Sequence, residues 1–210
     1  MIIVNDDIYM VGTKGKTTLV IYRDEVSGSP REWDNYGHLI LFGRDTAGYG
    51  DKHSYRDIRE LITALGKTKR VQYPVYAYVH SGVAFSLSDF GDRWDSGICG
   101  LIYITYDEIE KEYGKVDDST IATAKTVLQD EIEALNQYAS GEVYGYTLYE
   151  FDEPSDSCGG FYSSDGIEDI LDETGFSKSD MKKVYNNYRF SLDNYFEETF
   201  IKTAKWSLRP

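Results

Sequence analysis

The stretch from residue 71 to residue 106 constrains the fold more than any other part of the chain. It reads as strand, turn, strand, acidic loop and strand, and it is the densest run of β-branched and aromatic residues in the sequence. Residues of these types fit the pleated, half-buried surface of a sheet. We therefore place the stretch in the middle of a sheet, with polar strand ends at His80-Ser81-Gly82 and Trp94-Asp95-Ser96-Gly97.

One amphipathic helix is predicted before this stretch and another after it. The clearer one spans residues 117–139, because apolar residues recur there at spacings of three and four and a glycine follows. Asp118 or Ser119 is expected to cap its start. The shorter helix spans residues 54–65, with the serine at its beginning as the expected cap.

The other segments alternate between strand patterns and polar turns. Two strands that form a hairpin are predicted within residues 1–23, and single strands at 38–42 and 143–151. A loop is predicted at 152–166, and helices are predicted at 167–173 and from Met181 onward. The last helix carries an aromatic stripe at Val184, Tyr185, Tyr188, Leu192, Tyr195, Phe196 and Phe200. Such a stripe is typical of a helix that packs on a sheet or on a second copy of the chain.

These patterns predict an α+β fold with a mainly antiparallel, tyrosine-rich sheet packed by one long helix, followed by C-terminal helices. The chain has 19 tyrosines. Tyrosine combines an apolar body with a polar tip, so the excess suits either a sheet with a wet rim or an aromatic recognition surface. A chain of 210 residues can form one substantial core. We predict an α+β core domain at residues 1–175, with residues 176–210 as a helical extension of the same domain.

The charge balance argues against nucleic acid as a direct ligand. The chain carries 36 acidic and 22 basic residues, a net charge of −14. Affinity for nucleic acid comes mainly from lysine and arginine side chains that neutralise phosphates. An acidic protein instead attracts basic surfaces, including the DNA-binding channels of other proteins, although net charge also serves solubility alone.

Cysteine usage and hydropathy predict a reduced, cytoplasmic setting. The first residues lack the basic and apolar regions of a secretory signal. No apolar run approaches the roughly 18 residues needed to cross a bilayer, so we expect no membrane association. A disulfide between Cys99 and Cys158 is neither required nor excluded by the sequence. The histidines at 38, 53 and 80 do not have a metal-ligand spacing, and we expect no metal and no cofactor.

The segment from Gly12 to Thr18, GTKGKTT, resembles the phosphate loop of the Mur ligases. A phosphate loop needs a helix directly after its glycines, because the amides at the helix N-terminus bind the phosphates. Here the next residues, 19–22, have a β-branched strand pattern instead. The pattern therefore favours a hairpin turn over a nucleotide site.

One set of residues has the chemistry of a nucleophilic site. Cys158 is followed by two glycines, and His80 and Asp95 are predicted to lie at strand ends. A thiol nucleophile needs a base and a group that orients this base. Exposed amides after the cysteine could supply an oxyanion hole. The alternative is structural, since Asp-Ser and Gly-Gly are common turn residues and cysteine is common in cores.

A second set of residues is a candidate binding surface. Trp33 with Asp34 and Trp94 with Asp95 are expected either to form an aromatic wall of a pocket or to pack under loops. The loop residue Asp156 belongs to the same set. On the predicted 117–139 helix, Asp130, Glu131 and Glu133 lie on the outer face, which most simply is a solvated one.

Several motifs occur along the chain in the order SPREWDNYG, HSG, WDSGICGLIYIT, a long helix ending in YASGEVYGY, and DSCGGFY. Together they resemble a family of uncharacterised proteins of bacteriophages, prophages and other mobile elements. The resemblance covers residues 17–172, and it implies a phage or mobile-element setting but no particular activity. Where the family has a histidine-bearing segment after the strand HLILFG, this chain has Gly43-Arg44, which argues against a metal there. The tail after residue 176 is peculiar to this member.

Three functional hypotheses follow. The first is a phage accessory protein without enzymatic activity, which binds a host or defence protein with a basic surface and imitates the charge of nucleic acid. The second is a small hydrolase or transferase that uses Cys158 and His80. The third is an assembly protein that forms a homodimer through its C-terminal aromatic helices.

Overall fold

The computed structural model describes residues 8–184, 191–196 and 198–199. The chain divides into two compact units. The central unit comprises residues 28–140, and the terminal unit comprises residues 1–27 and 141–210. The division predicted near residue 175 stays a prediction.

The described elements are nine antiparallel strands and five helices, which confirms the α+β class. The strands are β1 (Ile8–Lys14), β2 (Thr17–Arg23), β3 (His38–Leu41), β4 (Arg70–Val79), β5 (Val83–Ser86), β6 (Ser96–Thr105), β7 (Val143–Glu150), β8 (Glu153–Tyr162) and β9 (Met181–Lys183). The helices are α1 (Ile58–Leu65), α2 (Tyr106–Tyr113), α3 (Asp118–Ala139), α4 (Ser163–Thr174) and α5 (Leu192–Phe196). They form two sheets rather than the single sheet predicted.

The central unit contains a four-stranded sheet in the order β3-β6-β4-β5. The long helix α3 packs on one face of it through Leu128, Ile132 and Leu135, which are almost fully buried. Burial of a leucine or isoleucine side chain contributes about 1.5–3 kcal/mol, so this stripe is a main source of stability. The short helix α1 packs on part of the opposite face.

The terminal unit contains a five-stranded sheet in the order β8-β7-β2-β1-β9. Helix α4 buries Ile170 and Leu171 against one face, and α5 buries Leu192 and Phe196 against the other. The two apolar side chains of α5 are therefore buried within the unit itself. Among the described residues, no helix is both long enough and apolar enough to cross a membrane.

Strand β8 corrects the loop predicted at residues 152–166. Among the described strands it lies at the edge of its sheet and pairs with β7 alone. Its first eight residues are exposed, so they show no apolar alternation from which a strand can be predicted. Backbone hydrogen bonds hold it, and these do not depend on side-chain type. The register shifts where Gly159 and Gly160 are inserted opposite β7, and Gly160 has a φ of 82°.

The helix predicted from Met181 is also wrong at its start, because this residue begins β9. A capping box between Ser177 and Asp180 begins a single 3₁₀ turn, Lys178–Asp180, directly before it. The chain then runs antiparallel along β1, where Gly12 permits a close approach. A Cβ atom at Gly12 would lie 2.4 Å from the carbonyl oxygen of Asp180. Within the aromatic stripe, Tyr185, Tyr188 and Phe200 lie outside the described residues.

The predicted helices of the central unit form, but each begins at a different cap. Asp57 caps α1 and Asp117 caps α3, in place of the serine at 54 and of Asp118 or Ser119. In both cases the carboxylate accepts hydrogen bonds from the second and third backbone amides of the helix. Aspartate is a strong N-cap because this bonding satisfies amides that have no partner in the helix.

Candidate functional site

One face of the central sheet is only partly covered. Helix α1 packs its Leu61 on β3 and on the adjoining part of β6. Beyond α1 the same face continues with Tyr76 and Tyr78 of β4, since the neighbouring residues of that strand point into the α3 core. Ile98 of β6 lies opposite Tyr76 and is 56% exposed. This end of the sheet therefore presents apolar side chains without a covering element among the described residues.

The loop between β5 and β6 adds two aromatic residues at this end. Phe90 is 40% exposed, and its ring centroid lies 5.9 Å from that of Tyr78. Trp94 is 94% exposed, the highest value among the exposed large hydrophobic residues. We call this region the Trp94 surface, which comprises Tyr76, Tyr78, Asp89, Phe90, Asp92, Trp94, Asp95 and Ile98.

Two aspartates hold the backbone of this loop. Oδ1 of Asp92 accepts hydrogen bonds from the amides of Trp94, at 2.8 Å, and Asp95, at 2.9 Å. Oδ1 of Asp89 accepts one from the amide of Gly91 at 2.9 Å. The bonds from the amides of Asp95 and Trp94 lower the pKa of Asp92, and His80 lowers it further. The backbone of the loop is thus ordered by the carboxylates of its own side chains.

His80 and Asp95, which we predicted to lie at strand ends, come together. Nδ1 of His80 lies 3.1 Å from Oδ2 of Asp95, and the backbone amide of Val79 donates to the carbonyl of Asp95 at 2.8 Å. The side chains remain 69% and 37% exposed. A carboxylate at Nδ1 favours the tautomer that leaves Nε2 to accept a proton, as in a general base. This pair has the relative orientation that base catalysis needs.

Cys158, the third predicted catalytic residue, belongs to the terminal unit. It lies exposed on β8 opposite Tyr146, and its Sγ is 3.8 Å from the carbonyl oxygen of Gly159. Nearby, the hydroxyl of Tyr146 lies 3.4 Å from Oδ2 of Asp156. None of the described side chains of this unit donates a hydrogen bond from a cationic group or imidazole to the thiol. Among the described contacts of this unit, the thiol of Cys158 therefore has no base as a hydrogen-bond partner.

The two glycines after Cys158 serve a turn around Asp24. The carboxylate of Asp24 accepts hydrogen bonds from the amides of Val26 and Ser27 and, at 3.0 Å, from the amide of Gly160. A Cβ atom at Gly159 would lie 2.4 Å from Oδ2 of Asp24. The amide of Gly160 is therefore already engaged, and the close approach of Asp24 accounts for the glycine at 159.

The other predicted binding residues are mostly exposed. Trp33, 54% exposed, and Asp34 follow a 3₁₀ turn, Pro30–Glu32. Asp130 and Glu133 lie on the outer face of α3, where Glu133 accepts a hydrogen bond from Gln137 at 3.3 Å. None of these residues belongs to the Trp94 surface.

The position of Glu131 contradicts the prediction that the outer face of α3 is solvated. Its side chain is only 10% exposed, and Oε2 accepts a 2.7 Å hydrogen bond from Arg31. Its other oxygen, Oε1, accepts from the amides of Tyr36 and Gly37 at 2.7 and 2.9 Å. All of its contacts are internal, so Glu131 holds the segment before β3 against α3.

The segment that resembles a phosphate loop is the hairpin between β1 and β2. Gly15 forms its turn with a φ of 65°, and β2 follows at once, so there is no helix N-terminus to receive a phosphate.

As for metals, no group of three or more His, Cys, Asp or Glu side chains within the described part of the chain is arranged to hold an ion.

Sequence reasoning missed six members of the Trp94 surface: Tyr76, Tyr78, Asp89, Phe90, Asp92 and Ile98. Alternation along β4 does place Tyr76 and Tyr78 on one face, but it does not show which face α3 covers. Sequence reasoning also missed the contact of His38 with Glu108. Nε2 of His38 lies 2.6 Å from Oε1 of Glu108, although the two residues are 70 positions apart in the sequence. Nothing in the local sequence signals a pair at that separation.

The fold and the Trp94 surface define an α+β protein with one partly uncovered sheet face. Compared with protein-family models, with curated proteins and with solved structures, the chain matches none of them. A functional assignment therefore depends on the chemistry of its own residues.

Proposed function

We propose that this protein is an acidic accessory protein of a bacteriophage or related mobile element, which binds a host or defence protein with a basic surface. The motifs shared with the phage and prophage family support the setting, and the net charge of −14 supports a basic partner. The observation that carries the binding role is Trp94, which is 94% exposed on a loop ordered by Asp89 and Asp92. We further propose a cytoplasmic location in the host cell, without direct contact to nucleic acid or membrane.

The chemistry of the Trp94 surface specifies its partner. Tryptophan is enriched among the residues that dominate interface energies, because it buries a large area at a small entropic cost. An arginine or lysine of the partner can lie over the indole ring while it pairs with Asp89 or Asp92. A protein face that normally binds nucleic acid offers such cations together with exposed apolar area. The Trp94 surface would occupy that face and inhibit its normal function.

A variant that retains Trp94 as its single tryptophan, Trp33→Phe/Trp206→Phe, tests this proposal. We expect an oligo-arginine peptide to change the emission of Trp94 saturably, and added salt to weaken the binding, since screening acts on exposed charges. In this background, Asp89→Asn/Asp92→Asn should weaken the binding about tenfold. The amide oxygens of asparagine still accept the backbone hydrogen bonds, so the loop is preserved.

The matched control is Asp130→Asn/Glu133→Gln, which removes the same charge from the outer face of α3. It should change the affinity by less than about twofold, because its carboxylates lie outside the Trp94 surface. Equal weakening by both double variants would mean that only net charge attracts the peptide, and the proposal would then be wrong.

In host lysate we expect a change in the Trp94 surface to abolish the binding of a specific partner. A partner retained by the unmodified protein should be retained by Trp33→Ala and lost with Trp94→Ala. Both substitutions remove an exposed indole, and they differ only in which surface of the protein loses it. A partner held equally by both variants would place the binding surface elsewhere on the molecule.

The hydrogen bond between His80 and Asp95 favours a second candidate, the cysteine-dependent hydrolase or transferase. In this reading Cys158 is the nucleophile, His80 is the base and Asp95 orients the base. Cys158→Ser should then abolish the biological effect of the protein and leave its thermal unfolding unchanged. A serine variant with full effect would remove this candidate.

Homodimer formation through the C-terminal aromatic residues stays a prediction. Leu192 and Phe196 are buried against Ile8, Val11 and Val20 of their own unit. Sedimentation of the full chain at increasing concentration tests for a dimer. A constant sedimentation coefficient up to high concentration would exclude it.

A further inference from the structure

A shallow groove of about 420 Å³ lies where α1 ends and β4 begins. It is lined by Gly66, Lys67, Thr68, Lys69, Arg70, Gln72 and Tyr106. Gly66 and Thr68 donate backbone hydrogen bonds to the carbonyls of Ile62 and Leu65, each at 3.0 Å. Two of the last four carbonyls of α1 are thus engaged by the backbone that lines the groove.

The charge of this groove is opposite to that of the chain. Lys67, Lys69 and Arg70 supply three cations to its lining, whereas the protein as a whole carries a net charge of −14. Among the described residues, none of the three forms an ion pair with a carboxylate. A cation near the end of α1 also complements the helix dipole. Three cations without carboxylate partners in one groove match the charge of an anionic ligand.

Arg70 is already oriented within the groove. Its Nη1 donates to the carbonyl of Thr68 at 2.9 Å, and its Nε donates to Oε1 of Gln72. These bonds hold the planar guanidinium and leave its remaining N–H groups for a ligand. The backbone amide of Tyr106 donates to the carbonyl of Lys69 at 2.9 Å, which fixes the start of α2 beside the groove.

We propose that this groove binds a small molecule that carries a phosphate group. A terminal phosphate group carries about −1.5 to −2 charge at pH 7 and has several acceptor oxygens, which matches one oriented guanidinium and two flexible ammonium groups. A volume of about 420 Å³ lies in the range of small-molecule sites. This site is distinct from the Trp94 surface, and neither proposal depends on the other.

Titration of the full-length protein with inorganic pyrophosphate, followed by NMR, tests the proposal. We expect saturable shifts of the backbone amides of residues 66–72 and of the Nε–H of Arg70. Lys69→Ala/Arg70→Gln should weaken the binding about tenfold or more, because each lost charge-assisted bond is a strong one. A parallel titration with ADP distinguishes the source of the phosphate. Tighter binding of ADP would indicate a nucleoside phosphate, and equal binding would indicate recognition of the phosphate groups alone.

Lys125→Ala/Lys111→Ala is the matched control, since it removes the same charge from exposed positions outside the groove. It should change the affinity for pyrophosphate by less than about twofold. Lys67→Ala is a milder variant that leaves Arg70 and its hydrogen bonds in place, and it should also weaken the binding. An absence of saturable shifts in residues 66–72, or equal losses in the control and the groove variants, would overturn the proposal.

Discussion

Nη1 of Arg31 donates a 2.7 Å hydrogen bond to Oε2 of Glu131, 100 residues further along the chain. The two side chains are only 7% and 10% exposed. The same guanidinium forms a bidentate pair with Asp51, at 2.9 and 3.1 Å, and donates to the carbonyl of Gly37 at 2.7 Å. One arginine thus joins the segment before β3, the loop after it and α3. The arginine of the SPREWDNYG motif is therefore a structural residue.

Neutralisation of Glu131 should destabilise the central unit. Glu131→Gln leaves Arg31 largely buried with one carboxylate fewer, and breaking a buried pair on one side costs about 3 kcal/mol. We expect a clear shift of the urea midpoint. Glu133→Gln on the exposed face of the same helix is the control, with a change within about 0.5 kcal/mol. Equal effects of the two variants would show that the Arg31 contact does not stabilise the fold.

Two glycines of β6 should respond differently to alanine. A Cβ atom at Gly100 would lie 2.1 Å from the carbonyl oxygen of Ile40, whereas one at Gly97 meets nothing within 4 Å. The backbone of β3 cannot move without breaking its pairing with β6. Gly100→Ala should therefore lower the free energy of unfolding by about 2 kcal/mol. Gly97→Ala should change the free energy of unfolding by no more than about 0.5 kcal/mol. Denaturant unfolding of both variants measures this, and similar values would contradict the close approach.

Asp117 should titrate at unusually low pH. The hydrogen bond from Lys115 and the bond from the amide of Thr120 lower its pKa from 3.8 to about 2. Since the pKa is lower in the folded state, the capping contribution is complete above pH 3.8 and is lost as the pH falls towards 2. NMR titration of the carboxylate carbon measures this pKa.

A pair of lysine variants isolates the cause of this shift. Lys115→Gln removes the ion pair, whose atoms lie 2.7 Å apart, and should raise the pKa of Asp117. Lys111→Gln, in the last turn of α2, should leave the pKa unchanged. If both variants raised it to the same degree, long-range charge rather than the contact with Lys115 would be responsible.

The two free cysteines should differ in reactivity. Burial raises the pKa of the Cys99 thiol to about 12, whereas Cys158 lies exposed on β8. Because the thiolate is the reactive form, iodoacetamide at mildly alkaline pH should modify Cys158 in the native protein and leave Cys99 intact. Mass spectrometry of peptides measures the labelling, and denaturant should make both residues reactive. Native labelling of Cys99 at the rate of Cys158 would contradict the raised pKa and partial burial of Cys99.

Local periodicity was enough to predict the centre of the fold. Strands β4 and β6 lie in the densest run of β-branched and aromatic residues, and α3 repeats its apolar residues at helical spacing, because these elements share a buried core. The contact of His80 with Asp95 was also within reach of the sequence, since both residues end neighbouring antiparallel strands. Edge strands β8 and β9 were not, because an edge is held by backbone pairing and requires no side-chain pattern.

The sequence by itself determined the α+β class, the acidic charge and the identity of the main strands and helices. Only the tertiary structure decided that two sheets form, that Glu131 faces Arg31 rather than solvent, and that Trp94 is exposed on the loop before β6. The physical reason is the range of the interactions. Periodicity reports which face of an element is apolar, whereas burial, ion pairing and exposure depend on which distant segment packs against that face.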